Sequence, residues 1–126
     1  MKRLENKIAI VVGAGQGPGT GMGNGRATVI RFVQEGAKVF CVDKDLASAD
    51  ETVAIAKQEA KDGGDAASFE ADVTREASMK AMIDACKAKW GRIDVLHYNV
   101  GFSIAGDRPS IWSTSGFCII SRNWRA

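Results

Sequence analysis

Residues 7 to 43 read KIAIVVGAGQGPGTGMGNGRATVIRFVQEGAKVFCVD. An unbroken apolar run, Ile8 to Val12, stops at Gly13, and from there every second residue to Gly25 is glycine, which places half of the chain's 14 glycines in one turn. Beyond Gly25 the apolar positions Ala27, Val29, Ile30 and Val33 recur at helical spacing, Gly36 ends them, and a second apolar run, Val39 to Val42, finishes on Asp43. The order is strand, Gly-rich turn, helix, strand, acid. Each part suits a dinucleotide. Glycines let the backbone approach a pyrophosphate, and the helix that follows aims its N–H groups and positive dipole end at the phosphates. A carboxylate closing the second strand can accept from the adenosine ribose hydroxyls. The common G-x-G-x-x-G fingerprint needs an odd offset and cannot be placed on these evenly spaced glycines. The looser G-x-x-x-G-x-G fits in four registers, starting at Gly13, Gly15, Gly17 or Gly19.

With 126 residues, 45% of them hydrophobic and 25% charged, the chain is expected to form one soluble domain with a modest core. The net charge of +2 comes from scattered basic residues, which argues against nucleic acid as a partner. No apolar run is long enough to span a bilayer, and MKRLENK leads into too short an apolar run for a signal peptide. Cys41, Cys86 and Cys118 are odd in number and far apart, so they read as thiols in a reducing cytoplasm and not as a disulfide framework or metal site.

Taken in order, the chain predicts a strand over 7–12, a turn over 13–24, a helix over 25–35 capped by Asn24 and stopped by Gly36, and a strand over 38–42. A second helix is expected from Leu46 to Asp62, buried on Leu46, Ala49, Val53 and Ala56, and ended by Gly63 and Gly64. A third strand, Ala66 to Glu70, leads to Asp72 and Val73. Thr74 reads as the N-cap of a helix whose core stripe is Met79, Met82, Ile83, Cys86 and Trp90. Gly91 ends it, and Ile93 to Leu96 is a fourth strand. Alternating strands and helices with short connections imply a parallel sheet with right-handed crossovers, the first half of a doubly wound α/β fold.

With the fourth strand reached, the order of residues resembles the short-chain dehydrogenase/reductase family over residues 7 to about 106. The motifs that carry this are GNGRAT closing the glycine turn, FVQEGAKVFCVD with Asp43, ADVT with Asp72 and Val73, and WGRIDVLHYNVG, which is similar to the family's W-G-x-[IL]-D-x-L-x-N-N-A-G. The resemblance implies a Rossmann-like fold over residues 1–106 and NAD as cofactor, with NADP less favoured. It implies cofactor-binding residues Gly13, Gly19, Gly23, Asn24, Gly25, Asp43, Asp72, Val73, Asn99 and Gly101. Eighteen positions separate Gly25 from Asp43, the family's usual distance, which favours Gly19, Gly23 and Gly25 as the register, yet Gly13 is the glycine that closes the strand.

Other departures bear on activity. Tyr98 stands where the family's first motif asparagine is expected, and Val100 replaces its alanine. Family chemistry uses a serine, a tyrosine and a lysine four residues after that tyrosine, all in a second half. Here the single tyrosine, Tyr98, is followed four residues later by Phe102, and no lysine occurs after Lys89. No catalytic residue is therefore assigned, and no metal site. Ser113, Thr114 and Ser115 lack the partners a catalytic serine needs, and His97 reads as a core or rim histidine. The tail SIWSTSGFCIISRNWRA holds no Asp, Glu or Lys. Residues 107–126 are read as a divergent or disordered segment, from a truncated gene, a shifted frame or alternative exon, or as a divergent strand at 117–121. The sheet is expected to stop after about four strands with an exposed edge, giving an aggregation-prone or homo-oligomeric chain.

The leading expectation is a cytoplasmic, NAD-binding, short-chain-dehydrogenase-type oxidoreductase that lacks the residues for hydride transfer. In the intact family the hydride moves between NAD and a small alcohol or ketone, a substrate open to this chain only if the other half is supplied. The alternative is a non-enzyme that binds only nucleotide or a partner subunit. A phosphate-binding hydrolase is disfavoured because no Walker lysine stands in the turn.

Overall fold

The computed structural model describes residues 2–15, 22–60 and 62–99, and the strand over 117–120. In chain order the elements are β1 (Ile8–Val12), α1 (Asn24–Gln34), β2 (Lys38–Asp43), α2 (Leu46–Glu59), β3 (Asp65–Glu70), α3 (Glu76–Trp90), β4 (Val95–Tyr98) and β5 (Phe117–Ile120). They form one sheet in the order β3-β2-β1-β4-β5. The first four strands run parallel, with Ile8 opposite Lys38, Lys38 opposite Asp65 and Ala9 opposite Val95. This is a Rossmann-like α/β fold.

The sequence dictates the layering through the period of the strand. Successive side chains point to opposite faces, so Val11, Val39 and Cys41 join Val29, Ile30 and Val33 of α1 and Ala56 of α2 in one core. Ile8, Ile10, Val12, Phe40 and Val42 join Met82 and Cys86 of α3 in another. Right-handed crossovers require this arrangement. Stepping outward from β1 to β2 to β3 puts α1 and α2 on one face, and returning across β1 to reach β4 puts α3 on the other. Phe40 anchors the second core, its ring 5.3 Å from that of Phe69 and edge-on to Trp90 at 5.9 Å.

The chain's return past β1 makes neighbours of β1 and β4, strands far apart in sequence, and ligands of such sheets lie in the crevice outside the carboxyl ends of the strands at that reversal. Glycine turn, Asp43 and Asn99 all emerge at that end.

Several expected boundaries move, each for a local reason. Gly23, not Asn24, is the N-cap of α1, with extended backbone (φ −67°, ψ 153°) and a carbonyl that accepts from the Ala27 N–H at 3.0 Å. Helix α1 must already be wound where Gly25 meets β1, so Asn24 becomes its first residue. Arg75, not Thr74, caps α3. The Thr74 N–H and hydroxyl both donate backwards to Asp72 Oδ1, at 2.9 and 2.7 Å, which uses up the expected cap. Helix α2 ends at Glu59 and buries Ala49, Thr52 and Ala56, while Leu46 is 39% exposed and Val53 only partly buried. Small side chains let α2 sit close to α1, and the buried stripe runs through a threonine that the apolar pattern passes over. Strand β4 starts at Val95, two residues late, because Asp94 occupies the chain end of β1: its N–H donates to the Ile8 carbonyl at 2.8 Å and its carboxylate accepts from the Ile8 N–H at 2.9 Å.

The β4 edge expected to stand open is instead paired. Strand β5 lies antiparallel to β4, with Tyr98 opposite Phe117 and Val95 opposite Ile120, at the place where the sequence offered a divergent strand. Antiparallel neighbours need no helical crossover between them.

Candidate functional site

The site is built around the end of β1. Gly13 leaves the strand with φ 83°, a left-handed conformation that glycine adopts without strain. Its N–H and that of Ala14 both donate to the Val42 carbonyl, at 2.8 and 3.0 Å, so the glycine turn starts out pinned to the end of β2.

Helix α1 then returns onto this turn. A Cβ built on Gly25 would overlap the Gly13 carbonyl oxygen, with the Gly13 carbonyl carbon at 2.9 Å and Asn99 Nδ2 at 3.1 Å. Only a residue without a side chain lets the helix come this close. As at any helix start, the N–H groups of Asn24, Gly25 and Arg26 have no intrahelical acceptor, and the first turn carries no acidic residue to repel an anion. Asn99 closes the third side, its N–H donating to the Val12 carbonyl at 2.8 Å.

Asp43 links the turn to the second strand. Its Oδ2 accepts from the Gly15 N–H at 2.9 Å and its Oδ1 from the Asp45 N–H at 3.0 Å. A carboxylate offers about four acceptor positions, and the described residues occupy two of them. Lys44 is exposed, away from the core.

Asp72 and Val73 follow β3, beside the end of β2, where the Ala71 N–H donates to the Asp43 carbonyl at 3.2 Å. The Thr74 hydroxyl and N–H hold the Asp72 carboxyl below its usual value of 3.8, with the Arg75 and Lys44 charges adding to the effect against some desolvation. Val73 packs against the second core. The structure thus brings Gly13, Gly25, Asp43 and Asn99 together, places Gly23 and Asn24 at the start of α1, and sets Asp72 and Val73 beside the end of β2. Gly19 and Gly101 lie outside the described residues, as do Ser113, Thr114 and Ser115.

The sequence reading gave no site role to three residues. Gly15 is also confined, though by side chains and not backbone, since a Cβ there would meet Asp43 Oδ2 at 2.8 Å and run into the Ser48 side chain. Arg26 and Thr52 are both buried. The Arg26 Nε–H donates to Thr52 Oγ1 at 3.0 Å, and the Thr52 hydroxyl donates to the Ala14 carbonyl at 2.8 Å. The only signal for Thr52 was its place between Ala49 and Ala56 on one helix face.

Two cysteines and the histidine take no part. Burial pushes the Cys41 thiol up to about 12 and Cys86 to about 11, so both stay protonated and unreactive at neutral pH. His97 is half-buried on β4, edge-on to Phe32 at 6.4 Å, and burial lowers its pKa. That is a rim histidine.

Sheet order, crevice and glycine contacts define a Rossmann-like nucleotide-site architecture. The chain belongs to the short chain dehydrogenase family, which it matches over residues 7–117. It is 41% identical over 108 residues to the uncharacterized oxidoreductase YxbG of Bacillus subtilis, an alignment covering 86% of this chain and 36% of that protein. A short-chain dehydrogenase/reductase from Burkholderia xenovorans shares 43% identity and superimposes with a TM-score of 0.69 over 76% of this chain and 36% of its own. A 7α-hydroxysteroid dehydrogenase in complex with NADH shares 33% identity at a TM-score of 0.65, over 75% of this chain and 33% of its own. The chain therefore spans about a third of the length of the relatives it matches. Among the described residues no helix is long and apolar enough to cross a membrane.

Proposed function

We propose that this chain is the dinucleotide-binding part of a short-chain dehydrogenase, that it takes NAD in preference to NADP, and that by itself it transfers no hydride. The observation that carries the reading is the anchored carboxylate of Asp43 at the end of β2. Two backbone N–H groups fix its direction, and the acceptor positions that the described residues leave to it suit the 2′-hydroxyl of an adenosine ribose. A 2′-phosphate placed there meets like charge.

In this reading the N–H groups at the start of α1, with Gly13, Gly19, Gly23, Asn24 and Gly25, receive the pyrophosphate. Asp72 and Val73 flank the adenine, and Asn99 and Gly101 lie beneath the adenosine ribose. The close approach of α1 to the end of β1 that Gly25 permits brings the N–H groups of the helix start to the carboxyl end of the sheet, which suits such a ligand. Arg26 is the cation nearest in sequence to the turn, and its guanidinium is committed to Thr52 and Glu51, so no phosphate clamp comes from it. Bound NAD would supply the hydride acceptor. The acid–base group for the alcohol or ketone oxygen is not met by Tyr98, which has no lysine four residues on to assist proton transfer through its phenol. The buried thiols suit a reducing cytoplasm.

Like-charge repulsion at a partly solvated rim is expected to favour NAD roughly ten-fold to thousand-fold. Calorimetric titration of both nucleotides against the chain and against Asp43→Asn checks this. The variant keeps the shape and one acceptor but loses the charge, and the preference should collapse. Equal affinities in the unmodified chain, or an unchanged ratio in the variant, remove Asp43 from the mechanism.

A further inference from the structure

Arg26 lies in the first turn of α1, one residue past Gly25, yet its side chain is only 8% exposed. Thr52, in the middle of α2, is fully buried. The two are joined by the Arg26 Nε–H donating to Thr52 Oγ1 at 3.0 Å, and the outer guanidinium nitrogen pairs with the exposed Glu51 carboxylate at 3.2 Å. The Thr52 hydroxyl has one proton to give. The Ala14 carbonyl, at 2.8 Å, is a better acceptor for it than the Ser48 carbonyl at 3.2 Å. Ala14 is thereby held at both ends of the residue, its N–H by the Val42 carbonyl at 3.0 Å and its C=O by Thr52.

Mere packing does not call for such a chain of bonds. Burying a guanidinium is costly even when it is paired, and apolar side chains of similar volume fill the space between two helices as well or better. What an apolar pair cannot do is hold a carbonyl. In an anion site that matters, because a peptide oxygen left free beside the phosphates repels them, whereas one tied to Thr52 leaves the N–H groups at the start of α1 to face the ligand.

We infer that Arg26 and Thr52 are positioning residues for the dinucleotide: a buried strut between α1 and α2 that fixes the Ala14 peptide where the glycine turn leaves β1. This rests on the nucleotide reading above. The strut does not address the ribose, so it affects NAD and NADP alike, unlike Asp43.

The test uses the whole chain with Thr52→Val and Thr52→Ser, titrated with NAD and with NADP. Loss of one neutral hydrogen bond to the turn is expected to weaken both nucleotides roughly ten-fold in the valine variant, with their ratio unchanged. The serine variant, which restores the hydroxyl, should recover most of the affinity. Unaltered binding by Thr52→Val, or serine binding as weakly as valine, overturns the proposal. If the unmodified chain binds neither nucleotide, the functional reading fails, and the strut is then judged by amide hydrogen exchange at residues 13–15 and 24–26. Faster exchange in Thr52→Val that is reversed in Thr52→Ser supports it; equal exchange in all three chains overturns it. Should Thr52→Val not fold, Arg26→Lys, which keeps the charge but lacks the fork that reaches Thr52 and Glu51 together, is measured by the same readouts, with unchanged binding and exchange counting against the strut.

Discussion

Replacing Gly25 with alanine adds one methyl group where α1 presses on the end of β1. That methyl would overlap the Gly13 carbonyl oxygen and lie 2.9 Å from its carbonyl carbon. Neither atom belongs to a side chain that can swing away, and the Gly13 N–H is itself bound to the Val42 carbonyl at 2.8 Å. Relief therefore requires α1 to move off the sheet, which disturbs the contact of Val29, Ile30 and Val33 with the core. Overpacking of this kind costs about 1–3 kcal/mol, and more where backbone opposes backbone. Alanine recovers at most about 1 kcal/mol through its higher helix propensity, and less at the second position of a helix. The net expectation is a loss of about 2 kcal/mol or more, together with weaker dinucleotide binding, because the same shift carries the α1 N–H groups away from the turn. Urea denaturation followed by circular dichroism measures the first effect. Gly91→Ala serves as the control, since its backbone is left-handed (φ 85°) with open space where the methyl would go, and it should show only the conformational cost of about 1–2 kcal/mol. A Gly25→Ala chain as stable as the unmodified one, or no worse than the Gly91 control, refutes the close-packing argument and with it the assignment of Gly25 as the glycine of helix–strand contact.

Other expectations are more quickly stated. Incubated with NAD and a panel of small alcohols, the 126-residue chain should show no turnover above background; NAD reduction that vanishes in Tyr98→Phe would instead make Tyr98 a catalytic acid–base group. Glu35 is held below its ordinary value of 4.5 chiefly by the Arg3 backbone N–H, which donates to it at 3.0 Å, and by the Arg31 and Arg3 charges, against the opposing effect of burial. A lowered pKa in the folded state contributes stability that is present above the unfolded value and lost as pH falls through the folded one. The stability gap between the unmodified chain and Glu35→Gln should accordingly be full at pH 7 and close in acid, and a gap independent of pH would contradict this. Cys41 and Cys86, with thiols pushed up to about 12 and about 11, should take up iodoacetamide at pH 8 only after denaturation, as read by peptide mass; labelling of either in the folded chain would show that its burial is incomplete.

The features legible in the sequence were those that a repeat period or a chain order encodes. Continuous apolar runs at Ile8–Val12 and Val39–Val42 announced strands, and both are buried. The strand-to-acid order placed Asp43 at the end of β2. Less legible was anything decided by two segments meeting in space. Seven glycines at even spacing look alike on paper; among the described ones, Gly25 meets the Gly13 carbonyl, and Gly15 meets Asp43 and Ser48. Asn24 has the chemistry of an N-cap, but the helix must start before it to bring Gly25 onto β1. Thr52 was passed over because a polar residue interrupts an apolar stripe, when its polarity is what joins Arg26 to Ala14.

Burial is graded across the sheet, and the crevice lies on the gradient. Every residue of β1 is buried, whereas every residue of its neighbour β4 is half-buried. A buried valine or isoleucine contributes about 1.5–3 kcal/mol relative to exposure, so β1 and β2, with α1 packed on them, form the stable part and β4 the weaker one. Asn99 at the end of β4 nevertheless lies beside the start of α1, through its N–H on Val12 and its amide beside Gly25. A ligand seated between the α1 N-terminus and Asn99 would thus bridge the firm and the loose side of the sheet. Its binding energy adds to the stability of whichever arrangement it selects, by about 2.7 kcal/mol at a ligand concentration one hundred times the dissociation constant. That is comparable to one fully buried aliphatic side chain. For a chain whose fourth strand is only half covered, the dinucleotide proposed here would be a structural element of the crevice as well as its occupant.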